Sequence, residues 1–486
     1  MIFSSVFFLF AFLPIVILGH FFLPEKFRNL FLLLASLLFY FWGENWLVFI
    51  VIASVTANYA CGILISGAYK PGPIAPAPEA RKHRLRKKTF LALSIAVNLG
   101  LLVYFKYANF MVLDVLGELI GANARLFDGW QEILLPLGIS FYTFQSMSYV
   151  IDVYRGKTAA TRSFIDFACY VTCFPQLVAG PIVRYRDIAG QLVRRIVTPE
   201  GFAEGIGRFV TGLSKKVIIA NTVGKTADAV FALPPDNLDA PHAWLGVLCY
   251  TLQIYFDFSG YSDMAIGLGR MLGFRYLENF NYPYVASSVQ EFWRRWHISL
   301  STWFRDYLYI PLGGNRGSRL RTYLNLWTVF ILCGLWHGAS WNFLAWGAYH
   351  GLFLVFERAG FNRILERAPK VVGHVYTVFV VMTGWMLFRA DTLNHAWLTA
   401  RAAFGFGAAL PQAVSIRYYL GNDVLAAVGL GILFSMPVTS YVGSRAPFLR
   451  FHRYHWARYI ALALLLLVCS MRLANDVYNP FIYFRF

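Results

Sequence analysis

Charged residues are scarce in this chain. They make up 14% of its 486 residues, where a soluble domain carries about 25%. That shortage excludes an ordinary water-exposed globular surface. Acidic residues are the rarer sign, 25 against 43 basic, which leaves a formal charge of +18. The basic residues gather in short loops between apolar runs, as the positive-inside asymmetry of membrane proteins requires, so the charge calls for no nucleic-acid partner. Cysteine is sparse as well. Cys61, Cys169, Cys173, Cys249, Cys333 and Cys469 nearly all fall inside apolar segments. Cys169 and Cys173 stand four apart, but no second pair and no histidine cluster completes a metal site; packing roles are expected, with neither disulfides nor a bound metal. The chain also lacks a phosphate-binding glycine loop, a Ser/His/Asp nucleophile motif, an HExxH motif and a haem motif. Gly267 and Gly269 lack the strand–turn–helix setting of a dinucleotide site.

Apolar sequence is abundant. Hydrophobic residues account for 58% and aromatics for 18%, mean hydropathy is +0.53, and apolar runs recur near the roughly 20 residues needed to cross a bilayer. The fold class is therefore an all-α polytopic membrane protein. Its lipid-embedded surface makes membrane lipid its first partner. With no internal repeat and no soluble insertion, residues 1–486 read as one membrane-embedded domain. The N-terminal run MIFSSVFFLFAFLPIVILGHFFLP has no basic n-region and no small-residue cleavage site, which predicts a retained helix. Residues 67–89 read as a Pro/Ala-rich basic linker. Its cluster Arg81, Lys82, Arg84, Arg86, Lys87 and Lys88 belongs on the cytoplasmic side. Spans are expected near 2–24, 28–43, 46–66, 90–111 and 133–153, with the N-terminus outside. Asp114, Glu118, Asp128 and Glu132 fall on the outer face, Arg155, Lys157 and Arg162 on the inner, and Arg445 to Arg458 on the inner face again. Phe164 to Pro181 is too short and too broken by Pro175, Gly180 and Pro181 for a crossing. A re-entrant hairpin, buried in protein or lining a wet cavity, is predicted there.

The segment Glu291–His350 carries the chemistry. It opens with an aromatic-basic stretch around Arg294, Arg295, His297 and Arg305 and ends in an apolar span that contains His337 between Trp336 and Gly338. Sixteen residues separate His337 from Arg321, about 24 Å of helix, so His337 is expected deep in the bilayer. An ionisable group persists there only when it faces the protein interior or a wet cavity, and a buried imidazole suits proton handling. His297 is expected nearer the cytoplasmic mouth, with Arg294 and Arg295 able to pair with phosphates. His350 is as readily structural as functional. Asp257 and Asp263 are six apart in a glycine-rich apolar run, so they share a helix face only if the helix breaks near Ser259 and Gly260. Ser140, Tyr142, Gln145 and Ser148 form a polar stripe that suits helix–helix hydrogen bonding.

Taken in order, LPLGISFYTFQSMSYVIDVYRG, FPQLVAGPIVRY, QIYFDFSGYSDMAIGLGRMLGF, NFNYPYVASSVQEFWRRWHISLSTWFRDYLYIPLGGNRG, GLWHGASWNFLAWGAYHG and NPFIYFRF resemble the membrane-bound O-acyltransferase family over nearly the whole chain. The resemblance implies a ring of tilted helices around a central tunnel, with re-entrant segments. It also implies acetyl transfer from cytoplasmic acetyl-CoA, as donor substrate and not bound cofactor, to an exported polysaccharide. An alginate-type polymer is the first expectation, with cellulose, peptidoglycan or another glycan as alternatives. It implies a bacterial inner-membrane setting and a periplasmic SGNH-type, esterase-like partner with a serine nucleophile. Within the family pattern His337 is the catalytic histidine and His297 a second important position; Arg294, Arg295, Trp336, Asp257 and Asp263 complete the candidate set as substrate-binding residues. A channel or flippase for the glycan or an acetyl carrier, without enzymatic activity, is the alternative from another class.

Overall fold

The computed structural model describes residues 1–67, 77–117, 130–234, 238–407, 414–438, 441, 455–476 and 478–482, and among them there is no strand. The chain divides into two compact units, Met1–Gly205 with Ala265–Leu277, and Ile206–Met264 with Glu278–Phe486. In chain order the helices are α1 (Leu13–Phe22), α2 (Glu25–Glu44), α3 (Val48–Gly67), α4 (Ala77–Leu102), α5 (Ile139–Tyr154), α6 (Phe164–Thr172), α7 (Phe174–Leu177), α8 (Tyr185–Val193) and α9 (Pro199–Ser214). They continue with α10 (Asn221–Phe231), α11 (Ala240–Met271), α12 (Val289–Arg295), α13 (Ile298–Phe304), α14 (Arg319–His337), α15 (Trp341–Phe356), α16 (Asn362–Arg367), α17 (Lys370–Arg389), α18 (Leu393–Ala403), α19 (Asn422–Phe434) and α20 (His455–Asn475). Among the described residues, four helical stretches are long and apolar enough to cross a membrane: Glu25–Gly67, His83–Tyr107, Lys370–Arg389 and Trp456–Asn475. The chain is a multi-pass, all-α membrane protein.

In the first unit the helices follow the apolar runs, because in hydrocarbon every backbone polar group must be satisfied within the segment. Helices α2 and α3 cover the expected spans near 28–43 and 46–66. Helix α4 starts at Ala77, so the basic cluster at 81–88 lies in its opening turns; residues 68–76 of the expected linker lie outside the described residues, as do Glu118, Asp128 and Arg445. Buried amides join α3 to α4. Asn58 Nδ2 donates to Asn98 Oδ1 (3.2 Å), Asn98 Nδ2 returns a bond to Asn58 Oδ1 (2.7 Å), and Ser94 Oγ donates to the same oxygen (2.7 Å). Such bonds replace the hydrophobic force that is missing between helices in lipid. Of the polar stripe on α5, Ser140 meets Lys106 Nζ at 3.4 Å and Ser148 bonds back to the Gln145 carbonyl of its own helix (2.8 Å). The segment expected to be re-entrant forms two short helices, α6 and α7, broken at Cys173. Its backbone from Phe167 to Val183 is buried throughout, the condition under which non-helical chain survives at membrane depth.

In the second unit α11 runs unbroken past Ser259 and Gly260. The glycines serve close approach. A Cβ on Gly260 would stand 2.7 Å from the Gly212 carbonyl oxygen, and one on Gly212 would stand 2.5 Å from that of Gly260. Helices α14 and α15 form a hairpin sealed in the same way: a Cβ on Gly334 would overlap the Phe343 carbonyl, and one on Gly347 that of Phe330. His337 is the last residue of α14, at the tip of this hairpin.

Candidate active site

Helix α12 begins at Ser288, whose Oγ accepts from Glu291 N (3.0 Å). Its first amides, Val289 N and Gln290 N, donate to the two carboxylate oxygens of the buried Glu357 at 2.6 and 2.9 Å. A carboxylate suits this end of a helix because the first N–H groups have no intrahelical acceptor. Two residues beyond the end of α12, His297 adopts φ 44°, ψ 54°, a left-handed conformation that is costly for a residue with a Cβ. Asn279 holds it there. The Asn279 backbone carbonyl accepts from Ile298 N (2.9 Å). Its side-chain Oδ1 meets Ser299 N (3.2 Å), Ser299 Oγ (2.8 Å) and His297 Nδ1 (3.1 Å), while its Nδ2 donates to Ser262 Oγ (3.1 Å). The Ser299 N–H can only donate, so Oδ1 is the acceptor and the bond to His297 is made by Nδ1–H. The basic lone pair of a neutral His297 is thereby assigned to Nε2.

Both histidines are buried, His297 at 1% and His337 at 4% exposure. Trp336 joins them, with ring centroids 6.0 Å from His297 and 5.0 Å from His337. Phe258 meets His297 edge-on at 4.7 Å; Trp346 and Phe388 meet His337 at 5.2 and 5.4 Å. The result is two imidazoles in one apolar, aromatic-walled region, where a proton acceptor works without competition from bulk water.

The chain matches the model of the membrane-bound O-acyltransferase family over residues 159–394. It is 43% identical to the probable alginate O-acetylase AlgI of Azotobacter vinelandii over all of both chains. It is 50% identical to the protein of the same name in Pseudomonas aeruginosa over 84% of this chain and 75% of that one. A peptidoglycan O-acetyltransferase of Helicobacter pylori is 34% identical over 83% of this chain and 80% of its own. The chain belongs to the membrane-bound O-acyltransferase family. It is an acyltransferase, and the channel or flippase alternative is set aside.

The structure of this acyltransferase sorts the remaining candidates. Arg295 is committed inside the protein: its Nη2 pairs with Glu291 Oε1 at 2.8 Å and its Nη1 donates to the Asn281 carbonyl at 3.1 Å. Arg294 is exposed. His297 is enclosed by rings and does not sit at an open mouth beside them. Asp257 faces Lys216, with Oδ1 2.8 Å from Nζ, and its Oδ2 accepts from Ile482 N (2.7 Å). Lys216 Nζ also donates to Asn221 Oδ1 (2.7 Å) and to the Pro480 carbonyl, and Phe481 stacks on Tyr261 (4.3 Å). This buried pair therefore clamps the backbone of the NPFIYFRF segment, of which Tyr483–Phe486 lie outside the described residues. Asp263 faces away from Asp257, to Arg208 (2.6 Å) and Lys215 (2.7 Å), and Glu278 completes the cluster through Arg208 (2.5 Å). His350 is fully buried and neither ring nitrogen has a hydrogen-bond partner. Its Nε2 points at the Cα of Gly384, where a Cβ would stand 2.6 Å away, so it fills a notch in α17. Trp341, the first residue of α15, is 39% exposed, and Trp346 of the same helix flanks His337.

Sequence reasoning missed Asn279, Glu357, Trp346 and Phe388. Asn279 had a signal, an amide amid the aromatics of NFNYPY only 18 residues before His297. Glu357 had a weaker one, as the first acid after a long apolar helix.

Proposed function

We propose that this acyltransferase takes an acetyl group from acetyl-CoA on the cytoplasmic side of the bacterial inner membrane and delivers it for O-acetylation of an exported polysaccharide of the alginate type. The observation that carries this reading is the pair of buried histidines on either side of Trp336, one of them with its basic nitrogen fixed by Asn279. The names of the relatives supply the acetyl group and the polymer class. His337 acts as general base: it takes the proton of an attacking hydroxyl as the new C–O bond forms. The C–S bond of the thioester then breaks, and the same proton passes to the departing thiolate. His297 Nε2, on the other side of Trp336, accepts a hydrogen bond from the reacting group and orients it. Exposed Arg294 meets the phosphates of the donor. A periplasmic SGNH-type partner with a serine nucleophile receives the acetyl group and passes it to the polymer.

The test uses proteoliposomes that hold the acyltransferase and acetyl-CoA labelled in its acetyl group. Labelled acetyl should reach the partner's serine with release of CoA, and His337→Ala should abolish this while the protein still unfolds at the wild-type temperature. Polymer acetylated at full rate without a partner removes the hand-over. Turnover that persists in His337→Ala removes the general-base role.

A further inference from the structure

At the C-terminal end of α20 a cavity of about 570 Å³ opens between α20, α10 and the start of α19, all within the second unit. Its charged lining is balanced, with Lys225 and Arg472 against Asp423 and Asp476. Two of the four are paired with each other: Lys225 Nζ donates to Asp476 Oδ2 and lies 5.7 Å from the centroid of the Tyr478 ring. The other two are not. Arg472 uses Nη1 on Thr222 Oγ1 (2.9 Å), and among the described residues neither its guanidinium nor the Asp423 carboxylate forms an ion pair. Both are exposed, so a ligand in the cavity can reach them. Helix α20 also faces lipid. Its apolar stretch Trp456–Asn475 is 20 residues long, and 6% of it is buried. Leu464, Leu467, Val468 and Met471 are exposed and recur at three- and four-residue intervals, which makes one stripe along the helix. Val468 and Met471 line the cavity as well, so the stripe runs from the hydrocarbon into it. Arg472 and Asp476 stand at the end of the span, at headgroup depth. The basic residues from Arg445 to Arg458 assign the start of α20 to the cytoplasmic face, which puts the cavity at the outer one.

We propose that this cavity binds the headgroup of a zwitterionic aminophospholipid of the outer leaflet, of the phosphatidylethanolamine class. The Nε–Nη2 edge of Arg472, which Thr222 does not use, presents two parallel donors to phosphate oxygens. Asp423 accepts from the ammonium, whose three N–H groups need acceptors when they leave water. The acyl chains follow the stripe of Met471, Val468, Leu467 and Leu464 down α20. An anionic headgroup would satisfy Arg472 but set a negative charge against Asp423 and Asp476 with nothing to offer them. A sugar unit of the exported polymer finds no open aromatic face, because the Tyr478 ring is engaged by Lys225 and its hydroxyl donates to Asp228 Oδ2 (2.6 Å). Such a site is independent of the acetyl donor and of the polymer.

Thermal unfolding of the full chain in phosphatidylcholine nanodiscs tests this, with phosphatidylethanolamine or phosphatidylglycerol introduced stepwise. Phosphatidylcholine carries the same phosphate, but its quaternary ammonium has no N–H to give Asp423. Phosphatidylethanolamine should raise the unfolding temperature and saturate at a low mole fraction; phosphatidylglycerol should need at least ten times as much. Asp423→Asn should abolish the preference for phosphatidylethanolamine over phosphatidylcholine, and Arg472→Gln should raise the mole fraction required at least tenfold. Both side chains are exposed, so both variants should unfold like the wild type in phosphatidylcholine alone. Native mass spectrometry of the detergent-extracted chain should find one phosphatidylethanolamine retained by the wild type and lost from Arg472→Gln, and it carries the test if a variant unfolds early. The proposal is overturned if the rise grows without saturation or is equal in both variants, which marks a bulk bilayer effect, or if phosphatidylglycerol matches phosphatidylethanolamine. It is overturned too if a soluble uronate oligomer stabilises the wild type but not Arg472→Gln in phosphatidylcholine nanodiscs, which would make the cavity a glycan site.

Discussion

Replacing Glu357 by glutamine probes how far the position of His297 depends on a residue sixty positions later in the chain. The side chain is 1% exposed and its two oxygens serve two amides, Val289 N at 2.6 Å and Gln290 N at 2.9 Å. A carboxamide has one acceptor oxygen. Its NH2 group would face the second amide donor to donor, so one N–H is left buried without an acceptor, at about 1–3 kcal/mol. Loss of the negative charge at the start of a helix removes a further 0.3–1 kcal/mol, roughly. The expected destabilisation is about 1–4 kcal/mol, and it falls on a seven-residue helix, Val289–Arg295, too short to hold its own position. His297 lies two residues past its end, and a misplacement of about 1 Å at a reacting group can cost on the order of a hundredfold in rate. Denaturant unfolding in detergent and initial rates of acetyl transfer should therefore both fall in Glu357→Gln. Glu357→Asp, one methylene shorter, should reproduce the rate loss because it cannot span both amides. Wild-type stability and wild-type turnover in the glutamine variant would refute the argument. Lower stability with full turnover per folded molecule would confine Glu357 to holding the fold.

Further outcomes follow from the same geometry. Asn279→Leu removes the acceptor that fixes His297 Nδ1–H and strands Ser299 N, so turnover should drop by at least tenfold with a smaller change in donor affinity, read as a fall in kcat at near-constant KM. Arg294→Glu should weaken acetyl-CoA binding, measured by calorimetry, and leave the unfolding temperature unchanged; donor affinity untouched there but lost in His337→Ala would reverse the assigned roles. Lys216→Met leaves Asp257 as a lone buried charge and should cost about 3–5 kcal/mol, with partial recovery when Asp257 is changed to asparagine in the same chain. Asn58→Leu should cost about 1–2 kcal/mol in unfolding experiments without affecting the kinetics of the folded fraction.

The spans were legible because hydrocarbon is an undemanding reader: it asks only for length and apolarity, and α2, α3 and α4 met both. Where burial within protein replaced burial in lipid, legibility fell. Phe164–Pro181 could be excluded as a crossing but not traced through α6 and α7. Gly260 looked like a helix breaker because local sequence cannot distinguish a glycine that bends a helix from one that lets a neighbour touch it. Asp257 and Asp263 were attractive as site residues on polarity alone; their cationic partners, Lys216, Arg208 and Lys215, lie some 40 to 55 positions earlier and are brought alongside only by packing. The two histidines could be found, but not their meeting at Trp336, nor the left-handed backbone at His297, which exists because Asn279 and Ser299 hold it.

The hairpin of α14 and α15 has a mechanical meaning. Where Gly334 rests on the Phe343 carbonyl and Gly347 on that of Phe330, main chain touches main chain with no layer of side chains to act as a bearing. Side chains can change rotamer to let helices slide; peptide planes in contact cannot, and close-packed interiors transmit displacement instead of absorbing it. The two helices must move as one lever or stay still. A route to His337 would have to open on the walls the hairpin does not own, and the nearest ring there is Phe388 near the end of α17, 5.4 Å from His337 and itself packed against Phe343, Trp346 and Trp385.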